Sequence, residues 1–174
     1  MHDLGVSDRI VLLEDGNEVS FAFDDMLSYH AGDSPGGVAH AFKVLQRAIP
    51  LLDAGGRVER REIFIETAFG GPGARDAFEL ATGAVSGERF VLEPSLARPE
   101  YGRARERFVF RLRYRGKTVA LALRDGFVSD EFIDLTRRDV RGTEEERQLT
   151  AMKAEMARRV LSAGASDVYD VLTR

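Results

Sequence analysis

The chain contains no cysteine, which excludes disulfides, thiolate metal ligands and catalytic thiols. No run of about 18 apolar residues occurs, so no transmembrane helix is expected. The opening Met1-His2-Asp3-Leu4-Gly5 lacks a basic segment followed by an apolar one. No secretory signal is therefore expected, and the chain reads as cytoplasmic. The formal net charge of −4 lacks the positive excess that would draw the whole molecule to nucleic acid or to an anionic membrane. There is no P-loop, no G-x-G-x-x-G fingerprint and no H-E-x-x-H pair. Ser34 has no G-x-S-x-G elbow around it, which argues against a nucleophilic serine.

What remains is ordinary globular composition: 174 residues, 44% hydrophobic and 31% charged. A chain of this length buries roughly two-thirds of its unfolded surface. With no repeat, low-complexity tract or linker, one domain over 1–174 is expected. Short strands are expected over Ile10 to Leu13 and Val19 to Phe23, around the turn signal Asp15-Gly16-Asn17. Asp24 is placed to cap a short helix through Tyr29, with Asp25 as an acid in its first turn. Ser34-Pro35 opens a second helix, with Val38, Phe42, Leu45, Ile49 and Leu52 on one apolar face. His40 falls opposite that stripe and reads as a surface histidine. His2 falls in the terminal segment.

A strand near Glu62 to Ala68 leads through Gly70-Gly71-Pro72-Gly73 into a helix from about Ala74 to Val85. Another strand is expected over Glu88 to Leu92. The clearest signal is a hairpin of Arg105 to Tyr114 and Thr118 to Leu123, in which Phe108, Phe110, Leu112 and Tyr114 alternate with polar residues. Two helices close the chain, one over Asp130 to Arg137 and one opened by a capping box at Thr143 and Glu146. The second buries Leu149, Met152, Met156 and Val160. The order defines an α+β fold.

Three stretches can carry chemistry. In Tyr29 to Gly37, His30 ends one helix just before the start of the next. Free amides at a helix start attract anions, and Gly36 and Gly37 let a ligand approach the backbone. His30 can donate, accept or ligate a metal, and Asp33 can orient it or join it as a ligand. These two are the candidate catalytic residues, with Ser34, Gly36 and Gly37 as candidate ligand contacts. The plainer alternative is a helix–turn–helix corner in which Asp33 or Ser34 caps and His30 bonds a nearby carbonyl.

Gly70, Gly71 and Gly73 form a second flexible loop before a helix start, a common frame for a ligand crevice. The expectation is that both helix starts face one pocket. Arg103, Arg105, Arg107, Arg111, Arg113 and Arg115 share one face if all lie in a strand. Such a face could hold phosphate, carboxylate or RNA, with Arg111 and Arg113 as candidate anion contacts. The alternative is a solvated face paired across strands with Glu62 and Glu66. No stacking aromatics interleave these arginines, which argues against nucleic acid.

Phe23 to Gly36 resembles the signature of the formylmethanofuran dehydrogenase E-subunit (FmdE-like) family, an aromatic residue followed by His-Gly-His, one residue, then Cys-Pro-Gly. His30, Pro35 and Gly36 match it. Ala31, Gly32 and Ser34 replace its glycine, second histidine and cysteine. Softer likenesses follow at Ile65-Glu66 through Phe78, at Tyr101-Gly102-Arg103, at Arg115 through Val119, near Glu144 and at Asp167-Val168-Tyr169. The resemblance implies a core of helix, strand, helix and three strands, related in topology to the C-terminal domain of glyceraldehyde-phosphate dehydrogenase. It also implies a zinc site at the His and Cys positions, with His30 as the one ligand retained. Oxygen and imidazole ligands from Asp33, His30 and water would suit another divalent cation. A further reading is a non-catalytic subunit that holds an acidic partner on its arginine strand. An exposed flat strand also allows a homodimer.

Overall fold

The computed structural model describes residues 8–173, so His2 lies outside the described residues. Among the described residues the fold is α+β, with six α-helices and seven strands in two sheets. The chain opens with a hairpin of β1 (Arg9–Glu14) and β2 (Asn17–Ala22). Its two turn residues, Asp15 and Gly16, both have positive φ, the mirror-image turn that matches strand twist.

Helix α1 (Phe23–His30) follows directly, and α2 (Pro35–Leu52) after it. The cap of α1 differs from expectation. Asp24 does not cap. Asp25 instead accepts the N–H of Ala22 at 2.8 Å, because Phe23 already begins the helix and Asp25 falls at its third position. Ser34 does stand at the N-cap of α2 with Pro35 next, although its hydroxyl makes no capping bond.

The second sheet is mixed, ordered β4-β3-β5-β6-β7. It comprises β3 (Phe64–Thr67), β4 (Phe90–Leu92), β5 (Val109–Tyr114), β6 (Lys117–Leu123) and β7 (Tyr169–Val171). Strands β3 and β4 run parallel, joined through α3 (Pro72–Thr82), and the other neighbours are antiparallel. The order α2-β3-α3-β4-β5-β6 is thus helix, strand, helix and three strands. Three helices complete the fold: α4 (Asp130–Thr136), α5 (Thr143–Ser162) and α6 (Ala165–Val168). Among the described residues no helix is long and apolar enough to cross a membrane.

Phe108, Phe110, Leu112 and Tyr114 all point into the core, as their alternation requires. The strand itself is shorter than expected. It starts at Val109, because Gly102 at φ +87° turns the chain and its carbonyl accepts from Arg105 and Glu106. Arg103, Arg105 and Arg107 therefore lie in a loop, off the strand face.

The first half of helix α2 is enclosed on every side. Gly36 through Leu45 are all buried, held between α3, α5 and the sheet. His40 is consequently not a surface residue: it is 0% exposed, and its Nδ1 lies 2.8 Å from the Tyr169 hydroxyl. Gly36 and Gly37 let α5 and α3 approach the face where His40 sits. Burial pushes the His40 imidazole down to about 3, since a charged ring finds no water there.

Two expectations near the C-terminus also shift. The cap of α5 is Gly142, whose N–H donates to Glu145 at 3.2 Å, one residue earlier than the Thr143 box. Strand β7 and the one-turn α6 have no counterpart in the sequence pattern, because three and four residues are too few to show a period.

Candidate functional site

Three helix ends meet at one corner. Helix α1 ends at His30, with Ala31 in the left-handed region at φ +52°. Shortly afterwards α2 starts, and α3 starts beside it. Gly37 and Gly73 make this approach possible. A Cβ on Gly37 would lie 3.0 Å from the amide nitrogen of Ala74 and 3.4 Å from the Gly73 Cα. A Cβ on Gly73 would collide with the carbonyl oxygen of Ser34. The glycines are therefore packing residues as much as loop residues, since backbone meets backbone there.

His30 braces the corner from behind. The Ser34 N–H donates to Nε2 at 3.3 Å, so that nitrogen carries no proton, and Nδ1–H donates to Asp76 Oδ2 at 2.7 Å. The imidazole thereby links the end of α1, the start of α2 and the first turns of α3. Its side chain is 6% exposed. Asp76, marked in the sequence only as part of the softer family likeness running to Phe78, takes the orienting role expected of Asp33. Asp33 points outward, 90% exposed, with its carboxylate 3.7 Å from Lys153 Nζ.

In front of the corner lies a cavity of about 530 Å³. Both glycine loops line it, through Ser34, Gly36 and Gly37 on one side and Gly70, Gly71 and Pro72 on the other. The amides of Gly36 and Gly37 fall in the first turn of α2, where helix geometry leaves N–H groups without an internal acceptor. Five basic side chains join them: Arg103, Arg107, Arg137, Arg141 and Lys153. Four have carboxylate partners: Arg103 with Asp134 at 2.9 Å, Arg137 with Glu106 at 3.2 Å, Arg141 with Glu146 at 2.9 Å, and Lys153 with Asp33. Arg107 has no such partner among the described residues and is exposed. Phe69, Phe108, Phe132, Leu149 and Met156 supply apolar wall. A second cavity, of about 580 Å³, lies between β1, the far half of α2 and the α5–α6 turn, and gathers neither glycine loop.

Of the residues singled out in the sequence, Asp33, Ser34, Gly36, Gly37, Gly70 and Gly71 line the first cavity. Gly73 and His30 stand behind it and do not line it. Arg111 and Arg113 lie elsewhere, on the outer face of β5, where both reach Glu66 at 2.6 and 3.3 Å. Arg115 pairs with Glu62 at 2.7 Å. Arg111 holds the Glu66 carboxyl below its ordinary range, and Arg115 does the same for Glu62. Arg113 also lies over the Phe64 ring at 5.2 Å. These are the cross-strand pairs that register dictates, Glu66 facing Arg111 and Phe64 facing Arg113. The residues sequence reasoning missed, Arg137, Arg141 and Lys153, come from the end of α4, the segment after it and α5, far from the glycine loops in the chain. Lys153 had one available signal: it lies four residues after Leu149 and three before Met156, on the same buried stripe.

The zinc implied by the family resemblance does not fit these residues. Both nitrogens of His30 are engaged, Asp33 faces away toward Lys153, and Gly32 and Ser34 offer no thiolate or imidazole. Among the described residues no group of three His, Asp or Glu could hold a metal ion. The fold and site define a mixed-sheet α+β protein with a cationic cavity at two converging helix starts. Comparison with protein-family models and with curated proteins finds no match to this chain.

Proposed function

We propose that this protein binds a small anionic ligand in the cavity at the starts of α2 and α3, and that it is a divergent member of the formylmethanofuran dehydrogenase E-subunit family without that family's metal. The observation that carries the binding proposal is the convergence of both glycine loops and five basic side chains on one cavity. Helix-start amides and arginines favour the same ligand charge, and their contributions add. His30 is a positioning residue in this reading, holding the α2 start against α3 through Ser34 and Asp76. The order of α2, β3, α3 and the three strands after it agrees with the core that the family resemblance implies.

The alternative, an arginine strand that holds an acidic partner, draws less support. Arg111 and Arg113 share Glu66 and Arg115 pairs with Glu62, whereas the cavity adds helix-start amides to its cations. The test is titration of isotope-labelled protein with inorganic phosphate and with acetate, followed by amide chemical shifts. Saturable shifts concentrated at Gly36, Gly37, Gly71 and Lys153 are expected. Shifts centred on β5, or none at all, would overturn the reading.

A further inference from the structure

We infer that the ligand is a small amphiphilic organic anion, with one carboxylate or phosphate head and an aromatic or short acyl body; this rests on the anion-binding reading above and names its substrate class. Two observations on the cavity carry it.

The first is charge balance. Four of the five cations have carboxylate partners, so among the described residues Arg107 alone brings an unmatched full charge, supplemented by the partial charge of the helix starts. A polyanion such as nucleic acid or a long phosphate chain would need several free cations along a path. One head group fits the balance. Lys153 can join Arg107 at that head, because its present partner, Asp33, is solvent-exposed and holds it at only 3.7 Å.

The second is size and wall chemistry. About 530 Å³ falls within the range of roughly 300–1,000 Å³ that houses drug-sized organic molecules. An inorganic ion would leave most of that space unfilled. The remaining wall is apolar in composition. Phe69 stacks on Phe108 with centroids 4.4 Å apart, Phe132 comes from α4, and Leu149 and Met156 flank Lys153 on α5. Lys153 lines the cavity beside these groups, its side chain only 19% exposed. A cation in that setting favours an anion that carries apolar surface with it, because both then leave water together.

The experiment compares phenyl phosphate, benzoate, inorganic phosphate and a short single-stranded oligonucleotide by calorimetry and amide shifts, on the full chain and on Arg107→Gln and Phe132→Ala. Arg107 is exposed and Phe132 half-buried, so both variants are expected to fold, which circular dichroism checks. Phenyl phosphate should bind at least about tenfold tighter than inorganic phosphate. Arg107→Gln should weaken both anions, whereas Phe132→Ala should weaken phenyl phosphate and leave inorganic phosphate unchanged. Equal affinity for phenyl and inorganic phosphate would overturn the amphiphile while leaving anion binding intact. Tighter binding of the oligonucleotide would overturn it as well. Failure of every anion to shift the glycine amides would overturn the binding reading itself.

Discussion

The His30 imidazole and the Asp76 carboxylate meet at 2.7 Å across 46 positions of chain, and the other nitrogen of the same ring takes the Ser34 amide. That arrangement ties three helix ends into one corner, and the cavity depends on the corner. The two nitrogens act oppositely, one donating and one accepting, so neither Asn nor Ala reproduces the pair at the same reach.

His30→Ala should therefore lower stability by roughly 1–3 kcal/mol, the range for a part-buried hydrogen bond to a charged group. Urea unfolding reads this directly. Asp76→Ala should cost a similar amount, and the double variant should cost less than the sum because the two share one interaction. Strict additivity would show that the bond contributes nothing.

The glycines separate by what surrounds them. A methyl at Gly73 meets backbone of Ser34 that cannot move aside, so Gly73→Ala should destabilise by about 2–3 kcal/mol or more. Gly70 has only Leu92 side-chain carbons nearby, at 3.7 and 3.8 Å. Gly70→Ala should stay within about 0.5 kcal/mol of the parent. Thermal melting of the two variants side by side tests the contrast, and equal melting temperatures would contradict it.

Burial of His40 gives the protein an acid dependence. Its pKa falls from 6.5 to about 3 on folding, so between those values the unfolded chain binds a proton that the folded one does not. Stability is then full above 6.5 and declines as pH drops toward 3, with a slope approaching about 1.4 kcal/mol per pH unit in that window. His40→Gln should flatten the difference between unfolding free energies measured near neutral pH and about two pH units below it. An unchanged difference would mean that another group controls it.

The partner of His40 gives an independent check. Tyr169→Phe removes the hydroxyl 2.8 Å from Nδ1 and leaves a buried ring nitrogen unpaired, a loss of about 1–3 kcal/mol. In His40→Leu the same tyrosine change should weigh differently, because its partner is already gone. Identical effects in both backgrounds would show that the contact is incidental.

Arg111 and Arg113 look like ligand residues in the sequence and sit on the outer sheet face in the fold. Replacing both with alanine should leave phosphate-induced shifts at Gly36 and Gly37 unchanged, and should expose Glu66. The carboxyl of Glu66 is held low in the fold, so its pairing stabilises fully above the ordinary carboxylate range and is lost as pH falls from there through the lowered value. Loss of the shifts in this variant would return the arginine strand to the ligand site.

The chain by itself determined the elements with strong local signals. The β1–β2 turn at Asp15-Gly16, the Ser34-Pro35 helix start and the alternation from Phe108 to Tyr114 follow from backbone preference and period, which act over a few residues. It also pointed to the two glycine clusters, because glycines beside a helix start let backbone come close. What only the tertiary structure decided was which side chains face those loops. His30 turned inward because Asp76 and Ser34 claimed both its nitrogens. His40 became core because α3, α5 and the sheet close around the first half of α2. Arg137, Arg141 and Lys153 entered the cavity from segments that follow the loops by more than sixty positions. Local sequence carries no record of such meetings, because they are fixed by how the helices pack rather than by any residue's own preference.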